Sequence, residues 1–298
     1  MKSLKKLILL PILLFGFMAI AQESANRFFY ELTFKPKKDS AKVEKVMTTL
    51  DIVKDKSVYQ DFTLPAQDSI IKSSVEEMEK SKSWKDLSNM IKMPKFSFKI
   101  YKQYPEMKVS FLDRISRNLF VYEEDIKFDW KISTEKEKIG TYNTQKATTE
   151  FGGRKWTAWF AADVPFPDGP YKFHGLPGLI VKIEDEGKNY SWLLSGNKSL
   201  KDWKEFTYAE ELNEKFGMSN EKKVIAKDKF EKSYDAFKQD PMAEARAQVP
   251  QNMLSMKMPG SDVTIGEALK KQEKMLKDFF NGNDNPIELP VAKDKKKK

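Results

Sequence analysis

The 298-residue chain has a single histidine, His174, and this residue could support two kinds of chemistry. A histidine titrates near neutral pH and is the commonest protein ligand for metals. Because it stands alone, a nucleophilic triad or a zinc site would have to combine it with carboxylates. The carboxylates nearby in sequence are Asp163, Asp168, Glu184 and Asp185. A hydrolase with dispersed carboxylates therefore remains one interpretation, but a hydrogen-bonded loop histidine is the simpler one. We assign no catalytic residue, no metal and no cofactor.

Arg154 is a second candidate, since it follows two glycines and precedes Trp156 by two positions. Its planar guanidinium could bind an anionic ligand or help to orient a substrate. An arginine in such a setting more often stacks on a neighbouring ring or pairs with a carboxylate that locks the sheet. Both interpretations remain open from the sequence alone.

Aromatic residues are concentrated between positions 151 and 192, where they make up nine of 42 residues, against 12% of the whole chain. Strand alternation places Trp156 and Phe160 on one face and Trp159 on the other. The rings could form a core beneath a second layer, or a concave groove for an apolar ligand, a glycan or a partner strand. The ligand-binding candidates are Arg154, Trp156, Trp159, Tyr171, Phe173 and His174.

The segment after His174 reads GLPGLI and predicts structure rather than chemistry. Pro177 and Gly178 suit the two central positions of a type II turn. The alternating residues that follow predict a strand with one buried face. A further tight bend is predicted upstream, at DGP. The structural motif comprises Asp168, Gly169, Pro170, Gly175, Leu176, Pro177, Gly178, Leu179 and Ile180.

Three spaced runs, GRKWTAW at 153–159, DGPYKF at 168–173 and GLPGLI at 175–180, closely resemble the GLPGLI family of exported proteins from the envelopes of Gram-negative bacteria. The resemblance covers about residues 27–200. It implies a signal peptide and an envelope location, and it implies no enzymatic activity or cofactor. As a partner it suggests an outer-membrane receptor or a barrel protein.

The elements that must position these residues are mostly strands. Short β-forming runs separated by turn residues predict one mainly β domain over residues 22–200, built as a curved antiparallel sheet or a partly closed barrel. A polar, partly helical excursion interrupts it at about 66–93. Residues 201–282 are predicted to be helical and to pack on the sheet, with a capping box where Thr264 precedes Glu267 by three positions.

The two ends of the chain indicate export and a solvated tail. Residues 1–21 combine an early lysine cluster with an apolar run and small residues before Ala21, which predicts a cleaved signal peptide. Of the net charge of +9, three units fall in residues 1–21 and four in 293–298, which leaves +2 for the body. That balance excludes a nucleic-acid surface. Residues 283–298 are predicted to be a disordered basic tail that could contact a membrane peripherally.

We therefore expect an exported protein, periplasmic or extracellular, that binds a ligand or a partner without catalysis. Two alternatives are a secreted hydrolase with carboxylates near His174, and a structural protein that pairs an edge strand with a membrane receptor or barrel.

Overall fold

The computed structural model describes residues 23–82, 91–215, 219–258 and 261–290, which form a mainly β fold. Its strands are Ala25–Phe34 (β1), Glu44–Ile52 (β2), Lys56–Asp61 (β3), Lys99–Gln103 (β4), Lys108–Ile115 (β5), Asn118–Glu124 (β6), Lys131–Ile139 (β7), Tyr142–Phe151 (β8), Arg154–Ala161 (β9), Leu179–Asp185 (β10), Tyr190–Leu200 (β11) and Lys222–Val224 (β12). Its α-helices are Thr63–Ser81 (α1), Tyr208–Lys215 (α2), Lys227–Gln239 (α3), Ala243–Gln248 (α4) and Ile265–Gly282 (α5). The predicted signal peptide at 1–21 and the lysine-rich end at 293–298 lie outside the described residues.

These strands form one sheet in the order β12-β6-β5-β4-β3-β2-β1-β11-β10-β9-β8-β7. Neighbours are antiparallel except for β12, which runs parallel to β6. The edge strands β7 and β12 do not pair with each other, so the sheet is not closed into a barrel. The prediction of a mainly β fold built on an antiparallel sheet is confirmed.

The sheet curls around the loop that joins β9 to β10, residues 162–178, here called the inner loop. Gly169 lies so close to β10 that a Cβ atom would sit 2.7 Å from Ile180 Cδ1. The Gly169 carbonyl also accepts a hydrogen bond of 2.6 Å from Nζ of Lys102 in β4. Four strands separate β4 from β10, which would place them about 24 Å apart in a flat sheet. One short loop reaches both strands because the sheet is curved.

The two faces of this curved sheet are covered by different parts of the chain. On the concave face, Phe173 of the inner loop packs against Trp156 and Trp192, with ring centroids 4.8 and 6.2 Å apart. On the convex face, Trp203 is buried at the centre of a second apolar cluster, and its indole Nε1 donates a hydrogen bond of 2.8 Å to Asp51. The inner loop therefore belongs to the main core.

The predicted polar excursion at 66–93 contains α1, a 19-residue helix that buries Ile71 and Ser74. Residues 83–90 of this excursion lie outside the described residues. None of the described helices is both long and apolar enough to cross a lipid bilayer.

The C-terminal helices form an outer layer. Phe230 of α3 packs against Phe111 and Tyr122 of the sheet at 5.5 and 5.1 Å between ring centroids. Helix α5 starts at the predicted capping box and packs on α3, for example where Phe280 approaches Tyr234 at 6.2 Å. No residue of α5 is buried.

Residues 283–290, here called the C-terminal segment, are packed rather than disordered, which corrects the sequence prediction for this part of the tail. Asn285 and Ile287 are buried. Asn285 Nδ2 donates to Lys35 O at 2.9 Å, and the Leu289 amide donates to Gly152 O at 2.8 Å. These bonds pin the segment to the ends of strands in both halves of the sheet.

Candidate functional site

The GLPGLI motif fixes the end of the inner loop by close packing. A type II turn would join the Leu179 amide to Leu176 O, but this amide donates to Val164 O at 3.1 Å, and the Gly178 amide donates to Leu176 O at 2.8 Å. The predicted type II turn is wrong because the chain here passes directly against the end of β9. A Cβ atom on Gly178, whose φ is +151°, would lie 2.1 Å from Ala161 O, so only glycine fits.

Asp168 anchors the start of the same loop through a buried ion pair. Its carboxylate lies 2.5 Å from Lys102 Nζ, and both side chains are fully buried. It also accepts hydrogen bonds from the Tyr104 hydroxyl at 2.6 Å and from the Gly169 amide at 2.7 Å. Burial lowers the pKa of Lys102, while the charge of Asp168 opposes that shift. The DGP bend thus positions a carboxylate that neutralises a lysine inside the core.

His174 is a buried, neutral residue of the inner loop. Its ring meets the edge of Phe128 at 5.1 Å, and its carbonyl accepts a hydrogen bond of 2.8 Å from Trp130 Nε1. Its Nε2 atom has no hydrogen-bond partner in the described part of the chain. Burial first, and then the positive charge of Lys102, lower the pKa of His174 to about 4. At neutral pH the imidazole is therefore uncharged.

Three of the four carboxylates that could serve His174 pair with other residues, and the fourth is exposed. Asp168 belongs to the buried ion pair, and Asp185 pairs with the arginine at the start of β9. Glu184 pairs with a lysine of its own strand, and Asp163 is exposed. Asp168 faces His174 in an isolated backbone β-bridge. Within residues 23–82, 91–215, 219–258 and 261–290, no side-chain hydrogen bond or ion pair joins any of the four carboxylates to His174. The same ranges contain no group of three or more His, Cys, Asp or Glu that could hold a metal ion.

Arg154 binds the C-terminal segment, a role that the sequence did not predict. Its guanidinium lies 3.1 Å from Asp185 and donates to Asn285 Oδ1 at 2.8 Å and to Ile287 O at 2.9 Å. It also covers the ring of Tyr190 at 5.5 Å. These contacts agree with the interpretation in which the arginine pairs with a carboxylate and locks the sheet. They also occupy the N–H donors that an anionic ligand would need.

The predicted aromatic candidates fall into three environments. Trp156 and Phe173 are buried in the concave core. Trp159 lies on the other face, half-buried, with Lys146 Nζ at 6.0 Å from its ring. Tyr171 lines a pocket on the concave face. The structure therefore does not gather the six predicted ligand-binding residues into one groove.

This concave pocket is an aromatic cavity of about 290 Å³ between the sheet, α3, the end of α5 and the C-terminal segment. Aromatic rings make up much of its lining, among them Phe34, Phe96, Phe98, Tyr171, Phe230 and Phe280. Phe96 and Phe98 are only half-buried, and their ring centroids lie 5.6 Å apart. Aromatic faces in such a cavity can contact an apolar ligand or the C–H face of a sugar ring.

Asp113 supplies a polar group to the same pocket. Its side chain is buried, and it accepts a hydrogen bond of 2.8 Å from the Arg114 amide. Burial raises the pKa of Asp113 to about 6. A carboxyl that titrates close to neutral pH can donate or accept a hydrogen bond to a ligand.

A charged cluster closes one side of the pocket. Lys172 is fully buried and makes ion pairs with Glu124 and Glu288, at 2.6 Å from the latter. Lys227 bridges the same two carboxylates, at 2.6 and 3.3 Å. The Tyr171 hydroxyl donates to Glu288 at 2.6 Å. The cluster thereby ties the inner loop, β6, α3 and the C-terminal segment together around the pocket.

The sequence carried one usable signal for this site. In β5, Val109, Phe111 and Asp113 alternate on one face, so a carboxylate occurs where a core residue is expected. The contributions of α3 and α5 depend on how the helices pack, and no local pattern shows that.

The fold and site together describe a mainly β protein with an open, curved sheet and a pocket on its concave face. Residues 152–182, which include GLPGLI, match the model of a family described as a protein of unknown function, Porph_ging. This match is consistent with the resemblance found in the sequence. No curated protein matches the chain.

Two crystal forms of PNGF-II are similar to this chain in structure. The P21 form has a TM-score of 0.45 and 16% identity over 72% of this chain and 33% of that chain. The C2 form has a TM-score of 0.46 and 14% identity over 71% and 32%, respectively. This chain thus spans about a third of the length of those structures.

Proposed function

We propose that this chain is a non-catalytic binding protein that takes a small apolar or glycan ligand in the concave pocket. The observation that carries the proposal is the cavity itself, in which half-buried rings surround a buried carboxyl. A cavity of about 290 Å³ is at the lower end of ligand-pocket sizes and suits a ligand of one or two rings. The rings provide contact area, and Asp113 provides a hydrogen bond that fixes the orientation of the ligand.

The setting that we propose is the bacterial envelope, with a signal peptide cleaved near Ala21 and the mature protein acting beside an outer-membrane receptor or barrel. The charge pattern of residues 1–21 and the family resemblance support it. In this setting the lysine-rich end would make peripheral contacts with the membrane.

The two alternatives have weaker support. A hydrolase near His174 needs an acid and a base that act together, and three of the four carboxylates there pair with other residues. A partner that adds a strand needs an accessible edge. Of the two edges, β12 has three residues, and β7 has the sequence KISTEKEKI, whose charges oppose strand addition.

The proposal is tested by calorimetric titration of residues 22–298 with N-acetylglucosamine, glucose and indole. We expect one of these probes to bind and Phe96→Ala to weaken its affinity about tenfold, because an aromatic contact contributes about 0.5–1.5 kcal/mol beyond burial. Trp159→Ala is the matched control, since it removes a half-buried ring from the other face of the sheet.

Three outcomes would contradict the proposal: no binding by any probe, equal losses in the two variants, or turnover of p-nitrophenyl glycosides by the wild-type protein. The last would favour the hydrolase instead.

A further inference from the structure

A second cavity lies within the helical layer, and the concave pocket does not account for it. It has a volume of about 780 Å³ and is bounded by α3, α4, α5 and the turn between β5 and β6. Its apolar walls include Phe237, Met242, Leu269, Met275 and Leu276. The volume falls within the range of about 300–1,000 Å³ that is typical of small-molecule sites. We call it the helical cavity.

Helix α5 turns its apolar side toward this space. Leu269, Leu276 and Phe280 recur at the spacing of one helix face, and all three line the cavity. Even so, none of the 18 residues of α5 is buried, and Met275 is 49% exposed. An amphipathic helix in this condition has apolar surface that a ligand could remove from water.

Both charged residues that line the helical cavity are arginines. Arg114 and Arg117 line it, and no Asp or Glu is among its lining residues. Arg117 donates to Gln248 Oε1 at 2.6 Å, and Arg114 donates to Ser219 O and Asn220 Oδ1, each at 2.8 Å. In the described ranges neither arginine has a carboxylate within 4.0 Å. The charges of Asp113 and Glu210 act on Arg114. Arg117 is therefore the guanidinium at this apolar cavity that is complementary to an anionic amphiphile.

We infer that the helical cavity binds a long-chain acyl carboxylate, with its chain between the helices and its headgroup at Arg117. This site adjoins the concave pocket, since Tyr234, Phe279 and Phe280 line both cavities.

The test is calorimetric titration of residues 22–298 with monomeric palmitate and with the neutral analogue 1-hexadecanol. We expect palmitate to bind at least tenfold more tightly, because a hydrogen bond to a charged group contributes about 1.5–3 kcal/mol. Arg117→Gln should reduce palmitate affinity about tenfold and leave hexadecanol affinity unchanged. Ala245→Phe, which fills the cavity from α4, should abolish binding of both.

The matched control is Lys229→Gln, which removes an exposed positive charge from α3 away from the cavity and should bind palmitate as the wild type does. Thermal unfolding checks that each variant is folded, and Arg117→Gln keeps the test decisive if Ala245→Phe does not fold. Equal affinities for palmitate and hexadecanol, an unchanged Arg117→Gln variant, or no palmitate binding would each overturn the inference.

Sedimentation with phosphatidylglycerol vesicles separates the free acyl anion from a membrane surface. Binding to vesicles without binding to monomeric palmitate would overturn the proposal in favour of a membrane contact. The two proposals can be contradicted independently of each other. Ala245→Phe should leave binding in the concave pocket intact, and Phe96→Ala should leave palmitate binding intact.

Discussion

The inner loop and the helical layer both cover apolar surface of the sheet, but they do so with very different packing. In the inner loop and the start of β10, every residue from 168 to 180 is buried except Gly175 and Pro177. In α5, an amphipathic helix of 18 residues, none is buried, and a cavity of about 780 Å³ lies beside it. The first region has the packing of a scaffold. The second has the low local packing that is expected of elements that bind ligands and adjust to them.

Replacing single glycines in the two regions should give the largest contrast. Gly178→Ala places a Cβ atom 2.1 Å from Ala161 O, and this backbone cannot move without displacing β9. We expect a loss above about 4 kcal/mol or no folded protein. Gly282→Ala meets nothing within 4 Å and should leave the unfolding midpoint unchanged or slightly raised. Urea unfolding measures both, and similar midpoints would contradict the contrast.

Removing a lysine that pairs with the inner loop, and one from the helical layer, compares the stability contributed by a buried ion pair with that of an exposed one. Lys102→Met leaves Asp168 as an uncompensated buried charge and should cost about 3–5 kcal/mol. The double variant Lys102→Met/Asp168→Asn should recover part of that loss. Lys277→Met removes an exposed pair with Glu273 in α5 and should change stability too little to measure. If the double variant is no more stable than Lys102→Met, the ion pair is not the cause.

Leucine truncation compares the packing of the sheet core with that of the helical layer. Leu32→Ala, at a fully buried position of β1, should cost about 2–5 kcal/mol. Leu276→Ala, in the wall of the helical cavity, should cost about 1 kcal/mol or less, because its side chain is already partly exposed. Equal costs by chemical denaturation would mean that the helical layer is packed as tightly as the sheet.

Two titrating groups should change the free energy of unfolding in opposite directions as the pH rises. The pKa of Asp113 is raised by burial to about 6 in the folded state, above the unfolded value of 3.8, so its contribution falls as the pH rises from about 4 to 6. The pKa of His174 is lowered to about 4 from 6.5, so its contribution rises over about pH 4 to 6.5. Each pKa shift changes the free energy of unfolding by up to about 3 kcal/mol.

The measurement is the free energy of unfolding of the wild type, Asp113→Asn and His174→Gln at several pH values. Relative to the wild type, Asp113→Asn should gain stability as the pH rises, and His174→Gln should lose it. Parallel curves for all three proteins would show that neither group has a different pKa in the folded and unfolded states.

Much of the fold follows from local patterns. The alternation in β9 and the capping box at Thr264 form as the sequence predicts. Features that depend on a partner far away in the sequence could not be predicted from local patterns. The need for Gly178 comes from a backbone oxygen of another strand, and the order of the C-terminal segment comes from Arg154, about 130 residues earlier in the chain.

The site was predicted as a type of surface rather than as a set of residues. An aromatic concavity exists, but of the six ligand-binding candidates only Tyr171 lines the concave pocket. The many rings near residue 174 belong to the core rather than to a binding site. Strand alternation shows which residues share a face of the sheet, but it does not show which face stays open to a ligand. The open part lies where helices from the C-terminal third meet the sheet.

The position of β1 bears on how the chain folds. This strand pairs with β2 on one side and with β11 on the other, where Ala25 faces Leu200. Strands β1 to β6 can pair as a meander as soon as they are synthesised. The other edge of β1 stays unpaired until β11, which ends at Leu200, has been synthesised. Pairings of such high sequence separation slow folding and leave an exposed strand edge in the meantime. We therefore expect the slow step of folding to be the docking of β11.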